Sequence, residues 1–171
     1  MDKQRADYKI YNNRTAKSYS PFRGLGADFK SKHMIQFITE QVPMPTIEKA
    51  KVKSWIKAVA QTFGRKTGDI SYVFCTDQRI LEVNNTYLQH DYYTDIITFD
   101  YSTESTISGD IFISLDTVMS NAEVFKTDYR EELHRILIHG ILHLCGNDDK
   151  TPELRLSMTE KENAALRLIE L

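Results

Sequence analysis

The sequence predicts a domain that mixes helices and strands, with about four short strands and five helices. Two observations carry this. Residues with branched β-carbons and aromatic rings concentrate in four short runs, and apolar residues recur at helical spacing in the segments between them. Glycine, proline and small polar residues fall at the joints.

Ile35 to Thr39 reads as a short strand, and Pro43 and Pro45 break the chain after it. Thr46 is placed to cap a helix reaching about Phe63, with Ile47, Val52, Trp55, Ile56 and Val59 on its apolar side. Gly64 and Gly68 bracket a turn, and Ile70 to Cys75 forms the second strand. Thr76 or Asp77 opens a helix through Ile80, Leu81, Val83 and Leu88. Asp95 to Tyr101 and Gly109 to Leu115 are strands, and the polar link Ser102–Ser108 suggests that they pair antiparallel. Helices follow at Asp116 to Phe125, at Asp128 to Gly146 and at Pro152 to Leu171. Asp128 with Glu131 resembles a capping box, and Gly146 suits the left-handed position that ends a helix.

With 171 residues the chain fits one domain, and 41% hydrophobic residues suffice for a core. No apolar run approaches the roughly 20 residues of a membrane span, and the N-terminus lacks an apolar stretch of signal-peptide type. Two cysteines, Cys75 and Cys145, argue against a disulfide framework, so a cytoplasmic location is expected. Both read as buried structural cysteines.

The net charge of −2 is unevenly spread. Residues 1–33 carry eight Lys/Arg against three Asp/Glu, which leaves 14 basic and 21 acidic residues in 34–171. Residues 1–33 also lack a sustained period, and Met34 opens a sequence of different character. They are expected to form a basic extension, disordered or loosely attached, ahead of the folded domain at 34–171. The alternative is an arm that attracts RNA. The acidic domain weighs against nucleic acid by charge alone.

Function concentrates in His139 to Asp149, HGILHLCGNDD. Four residues advance a helix by about 400°, so His139 and His143 leave nearly the same face one turn apart. Gly146 then stops the helix, and Asp148 and Asp149 compete to supply a third ligand. Two imidazoles and one carboxylate with an open position suit a catalytic zinc. Gly140 stands where zinc peptidases of the H-E-x-x-H type carry their general base. It either makes room for a large substrate or packs closely on a neighbour. Cys145 lies about 200° around the helix from His143 and faces away. His33, His90 and His134 read as surface histidines, with His90 weighted more because it sits in LQHDYYTDIITF.

The motif resembles the bacterial YbeY endoribonucleases, whose pattern H-G-x-L-H-L-x-G-Y-D-H aligns with His139 to Asp149. The resemblance continues through VNNTYLQHDYYTDIITFDY, GDIFIS and the helix containing Met158, over roughly 34–171. It implies an α+β fold with a small mixed sheet and packed helices. It further implies one zinc per chain, cleavage of single-stranded RNA, processing at the 3′ end of small-subunit rRNA, and ribosome quality control. RNA and ribosomal or small-subunit assembly components are the implied partners. In the family register the third ligand falls on Asp149 in place of histidine, giving His139, His143 and Asp149. The family's usual arginine falls on Leu88, and Gln89 or His90 are the nearby substitutes. Two other functions compete. One is a zinc hydrolase of another bond such as a peptide, against which the missing Glu at position 140 weighs. The other is a metal-stabilised ribosome-assembly factor with little catalysis.

Overall fold

A computed structural model describes residues 9–12, as backbone, together with 33–88 and 92–170. Gln89, His90 and the remainder of residues 1–32 lie outside the described residues. The strands are β1 (Lys9–Asn12), β2 (Ile35–Thr39), β3 (Lys66–Cys75), β4 (Ile96–Asp100) and β5 (Thr106–Ser114). The helices are α1 (Lys49–Thr62), α2 (Asp77–Val83), α3 (Leu115–Phe125), α4 (Tyr129–Leu144) and α5 (Pro152–Leu166). A π-helical turn at Asn84–Leu88 extends α2. The class is α+β.

The strands form one mixed sheet in the order β1-β4-β5-β3-β2. β2, β3 and β5 run parallel, and β4 pairs antiparallel with β5 as expected. β1 adds a fifth strand, parallel to β4 at its outer edge, within the segment where the sequence shows no period. Alternation along the strands divides the core. Ile70, Tyr72 and Phe74 of β3, with Ile111 and Ile113 of β5, face a large cluster that includes α1 and α4. Val73, Cys75, Ile97, Phe99 and Phe112 face the opposite side, where Ile80 and Val83 of α2 join them.

Several local expectations are corrected. α1 starts at Lys49, with Glu48 rather than Thr46 at its N-cap and no side-chain cap bond. Gly68 lies inside β3 instead of closing a turn, beside the irregular register between Thr67 and Ile70. A β-carbon there would meet Ser108 Oγ at 2.2 Å, so the glycine reflects close strand approach. Asp128 does cap α4, accepting a 2.8 Å bond from the Arg130 backbone. Glu131 instead pairs with Arg135.

Two glycines let α4 lie close to the sheet. A β-carbon at Gly140 would stand 3.0 Å from side-chain carbons of Ile111 and 3.2 Å from Ile96 Cδ1. At Gly109 on β5 it would stand 2.4 Å from the Phe99 carbonyl oxygen and 2.9 Å from Leu144 Cδ2. The first contact is with side-chain tips, and alanine would gain about 1 kcal/mol of helix propensity there. The second is with the backbone of a paired strand, which has less room to give. Gly109→Ala should therefore destabilise by about 1–3 kcal/mol and by more than Gly140→Ala. Denaturant midpoints of the two variants beside the parent check this order.

Candidate metal centre

α4 is buried along almost its whole length, from Glu132 to Leu144. Gly140 faces the sheet. At about 100° per residue, positions 139 and 143 both leave the helix on one side of that contact line. The packing reading of Gly140 therefore holds, because Ile96 and Ile111 fill the space a substrate would have needed.

The end of α4 turns the chain back towards the histidines. Gly146 takes φ +93°, a left-handed value that suits glycine. Its N–H donates to the His143 carbonyl at 2.8 Å, and the Asn147 N–H donates to the Leu142 carbonyl at 3.1 Å. These are the paired bonds of a Schellman motif. The Asn147 side chain adds a 2.8 Å bond to the same Leu142 carbonyl. Arg155 Nε then donates to the Asp149 carbonyl at 3.1 Å, tying the loop to α5.

Three side chains converge as a result. The Nε2 atoms of His139 and His143 lie 2.7 Å apart. Asp149 Oδ2 lies 3.7 Å from the first and 3.8 Å from the second. All three residues are buried. Asp148 does not join them. Its carboxylate accepts the Asp149 N–H at 2.8 Å and pairs with the exposed Lys150 at 3.3 Å. Burial raises the Asp148 pKa, but the Asp149 N–H and Lys150 outweigh it and hold the group below the ordinary carboxylate range. Asp149 is pushed up, chiefly by burial.

The outer nitrogens of both rings are engaged. His143 Nδ1 lies 2.9 Å from the Asn147 carbonyl, which can only accept, so this nitrogen carries the proton. His139 Nδ1 lies 2.7 Å from the Glu162 carboxylate. With protons on both Nδ1 atoms, the two Nε2 lone pairs face each other and Asp149. Three acceptors at this range need a cation or a proton among them, so the donor set fits a metal ion. Burial, then the neighbouring His139, push the His143 pKa down to about 3.

Glu162 and Arg135 escaped the sequence reading. Glu162 is 2% exposed, and Arg135 Nη1 lies 3.4 Å from its second oxygen. The same Nη1 donates to Asn163 Oδ1 at 2.6 Å, and Nη2 donates to Glu131 at 3.2 Å. A signal existed in α5. Its buried positions are Met158, Glu162 and Ala165, spaced four and three apart, so a carboxylate sits on the apolar stripe.

Other candidates fall elsewhere. His134 is buried rather than at the surface. Its Nδ1 faces the Arg130 carbonyl at 2.6 Å and its ring packs beside Trp55. His33 is exposed. Cys75 is fully buried, and burial raises its thiol to about 12. Cys145 is only half-buried at the end of α4, with its thiol raised to about 11, mainly by burial. The backbone of Leu88 closes the π-helical turn.

The family model described as Endoribonuclease YbeY matches residues 35–170. This chain belongs to the YbeY family. A Parabacteroides distasonis relative named Endoribonuclease YbeY is 64% identical over 135 residues, covering 79% of this chain and 95% of the relative. Its namesake in Phocaeicola vulgatus is 60% identical, covering 81% of this chain and all of that protein. Among solved structures, the solution structure of TM1509 from Thermotoga maritima superposes with a TM-score of 0.56 at 25% identity. That alignment covers 78% of this chain and 87% of TM1509. The YbeY match begins at β2 and takes in every residue of the metal centre.

The lowered His143 pKa makes a prediction for the metal-free protein. The unfolded chain binds this proton near the ordinary value of about 6.5, whereas the folded chain binds it only near 3. Between those values acid favours unfolding. The raised Asp149 acts in the opposite sense just above its ordinary range. With chelator present, stability should therefore fall as pH drops below about 6.5, and His143→Ala should flatten that slope. Urea midpoints across the range check it.

Proposed function

We propose that this protein is a zinc-dependent endoribonuclease that cuts single-stranded RNA. We place it in processing of the small-subunit rRNA 3′ end and in ribosome maturation and quality control. The convergence of His139, His143 and Asp149 in a YbeY-family chain carries this reading. His139 and His143 each offer Nε2, and Asp149 offers a carboxylate oxygen. When bound, zinc supplies Lewis acidity towards a phosphodiester oxygen.

The chain's own residues provide the rest. α4 and the sheet hold the two rings on a rigid base, and the Schellman turn fixes the approach of Asp149. Burial of the three ligands keeps bulk water from competing for their donor atoms. Glycine at position 140, packed on Ile96 and Ile111, leaves no room for the general base of an H-E-x-x-H peptidase. That favours phosphodiester over peptide chemistry. The π-helical turn at Asn84–Leu88 lies where the family carries its arginine, and such turns recur at functional sites.

Zinc-loaded protein should cleave single-stranded RNA internally and leave a peptide substrate intact, and His143→Ala should abolish the RNA cut. Gel analysis of end-labelled RNA reads this. Persistent cleavage by the variant, or cleavage of peptide alone, would overturn the proposal.

The ligand assignment has its own check. Asp149→Ala should lower zinc content after dialysis, whereas Asp148→Ala should leave it near one per chain. Elemental analysis distinguishes them. The reverse pattern would move the third ligand to Asp148.

A further inference from the structure

We propose that Glu162, backed by Arg135, is a positioning residue that sets metal affinity by fixing the tautomer and aim of His139. The inference rests on the reading of His139 as a zinc ligand and goes beyond the ligand set. Glu162 comes from α5, a different helix from the one carrying both histidines. Its carboxylate lies 2.7 Å from His139 Nδ1 inside the core. An ionised carboxylate only accepts, so the ring must place its proton on Nδ1. Nε2 is then left with a lone pair directed towards His143 and Asp149.

His143 achieves the same end by a cheaper route, through the Asn147 carbonyl at the close of its own helix. His139 lies a turn earlier in α4, and its Nδ1 is met by a side chain from another helix. A carboxylate behind the ring also makes the imidazole a stronger donor to a cation.

Arg135 lies one turn before His139 on the same helix, which brings it to the same flank. It is 8% exposed, and its guanidinium touches Glu162, Asn163 and Glu131. It therefore supplies the countercharge for a carboxylate that is itself 2% exposed. An unpaired charge at that depth would be strongly destabilising. The relay runs Arg135, Glu162, His139, and it links the α4–α5 interface to the metal centre.

The test pairs an apolar replacement with a conservative one. Arg135→Met with Glu162→Met removes both charges together, an exchange that buried ion pairs commonly tolerate. Glu162→Gln keeps an oxygen that can accept from Nδ1–H. Zinc affinity is measured by competition with a chromophoric chelator near neutral pH. The double variant should bind zinc about 10–100-fold more weakly, and Glu162→Gln should retain most of the parent affinity. Nitrogen-15 spectra of zinc-loaded parent should show the His139 proton on Nδ1.

Parent-like affinity in the folded double variant would overturn the proposal. So would equal losses in the double variant and Glu162→Gln. A His139 proton on Nε2 in the parent would also overturn it, even if the double variant fails to fold. His139→Ala separates the two levels of argument. Zinc retained in His139→Ala removes the ligand assignment itself. Zinc lost there but kept in the double variant removes only the relay.

Discussion

The close seating of α4 on the sheet is the constraint from which the rest follows. Gly140 allows it at Ile96 and Ile111, and Gly109 allows it at Leu144. Once the helix is set at that depth, the azimuth of every α4 side chain is fixed. Leu137 is turned so that its carbonyl accepts a 3.0 Å bond from the Tyr72 hydroxyl of β3. Arg135, His139 and His143 share the flank that meets α5 and the returning loop. A residue bulkier than alanine at position 140 would lift or rotate the helix, and a small rotation would carry both imidazoles away from Asp149.

Depth has an energetic consequence. Two imidazoles and two carboxylates in a core must be satisfied by partners, because water is excluded. The structure provides acceptors for both Nδ1 atoms and a guanidinium for Glu162. Asp148, one residue from the centre, turns outward to Lys150. The two adjacent aspartates therefore differ in kind. One is held at the surface by a lysine and a backbone N–H, the other is carried inward by the turn at Gly146.

Much of this was legible in the sequence because it is local. The spacing of His139 and His143 and the stop at Gly146 follow from helix geometry and a single capping motif, whereas the choice of Asp149 over Asp148 rests on the family resemblance. The antiparallel pairing of β4 with β5 follows from a polar link between two strands. What was not legible depends on long-range placement. Gly68 looks like a turn residue until β5 is laid beside it. Thr46 looks like a cap until α1 begins three residues later. His134 looks polar and exposed until Trp55 covers it. Glu162 is 23 residues from His139, and only the packing of α5 on α4 brings them together. Its place on an apolar stripe was visible, but the partner that makes it tolerable was not.

The buried charges of the centre also bear on its departures from the family. By the family resemblance Asp149 stands where a histidine is expected, so the three converging side chains include a carboxylate. Glu162 adds a second, and Arg135 offsets only one of the two among these buried groups. Asp149 has the half-buried Arg155 beside its backbone carbonyl, in a region that solvates charge poorly. A divalent cation held by His139, His143 and Asp149 would offset the Asp149 carboxylate and draw on the lone pairs that otherwise repel. On the proposed function, a carboxylate at position 149 would also lower the net positive charge that such a cation presents to an RNA phosphate. By the same resemblance Leu88 stands where an arginine is expected, and an arginine there would have added to that attraction. Both departures therefore act in one direction. On the proposed function they would strengthen the demand of the folded core for a cation while weakening its pull on an RNA phosphate.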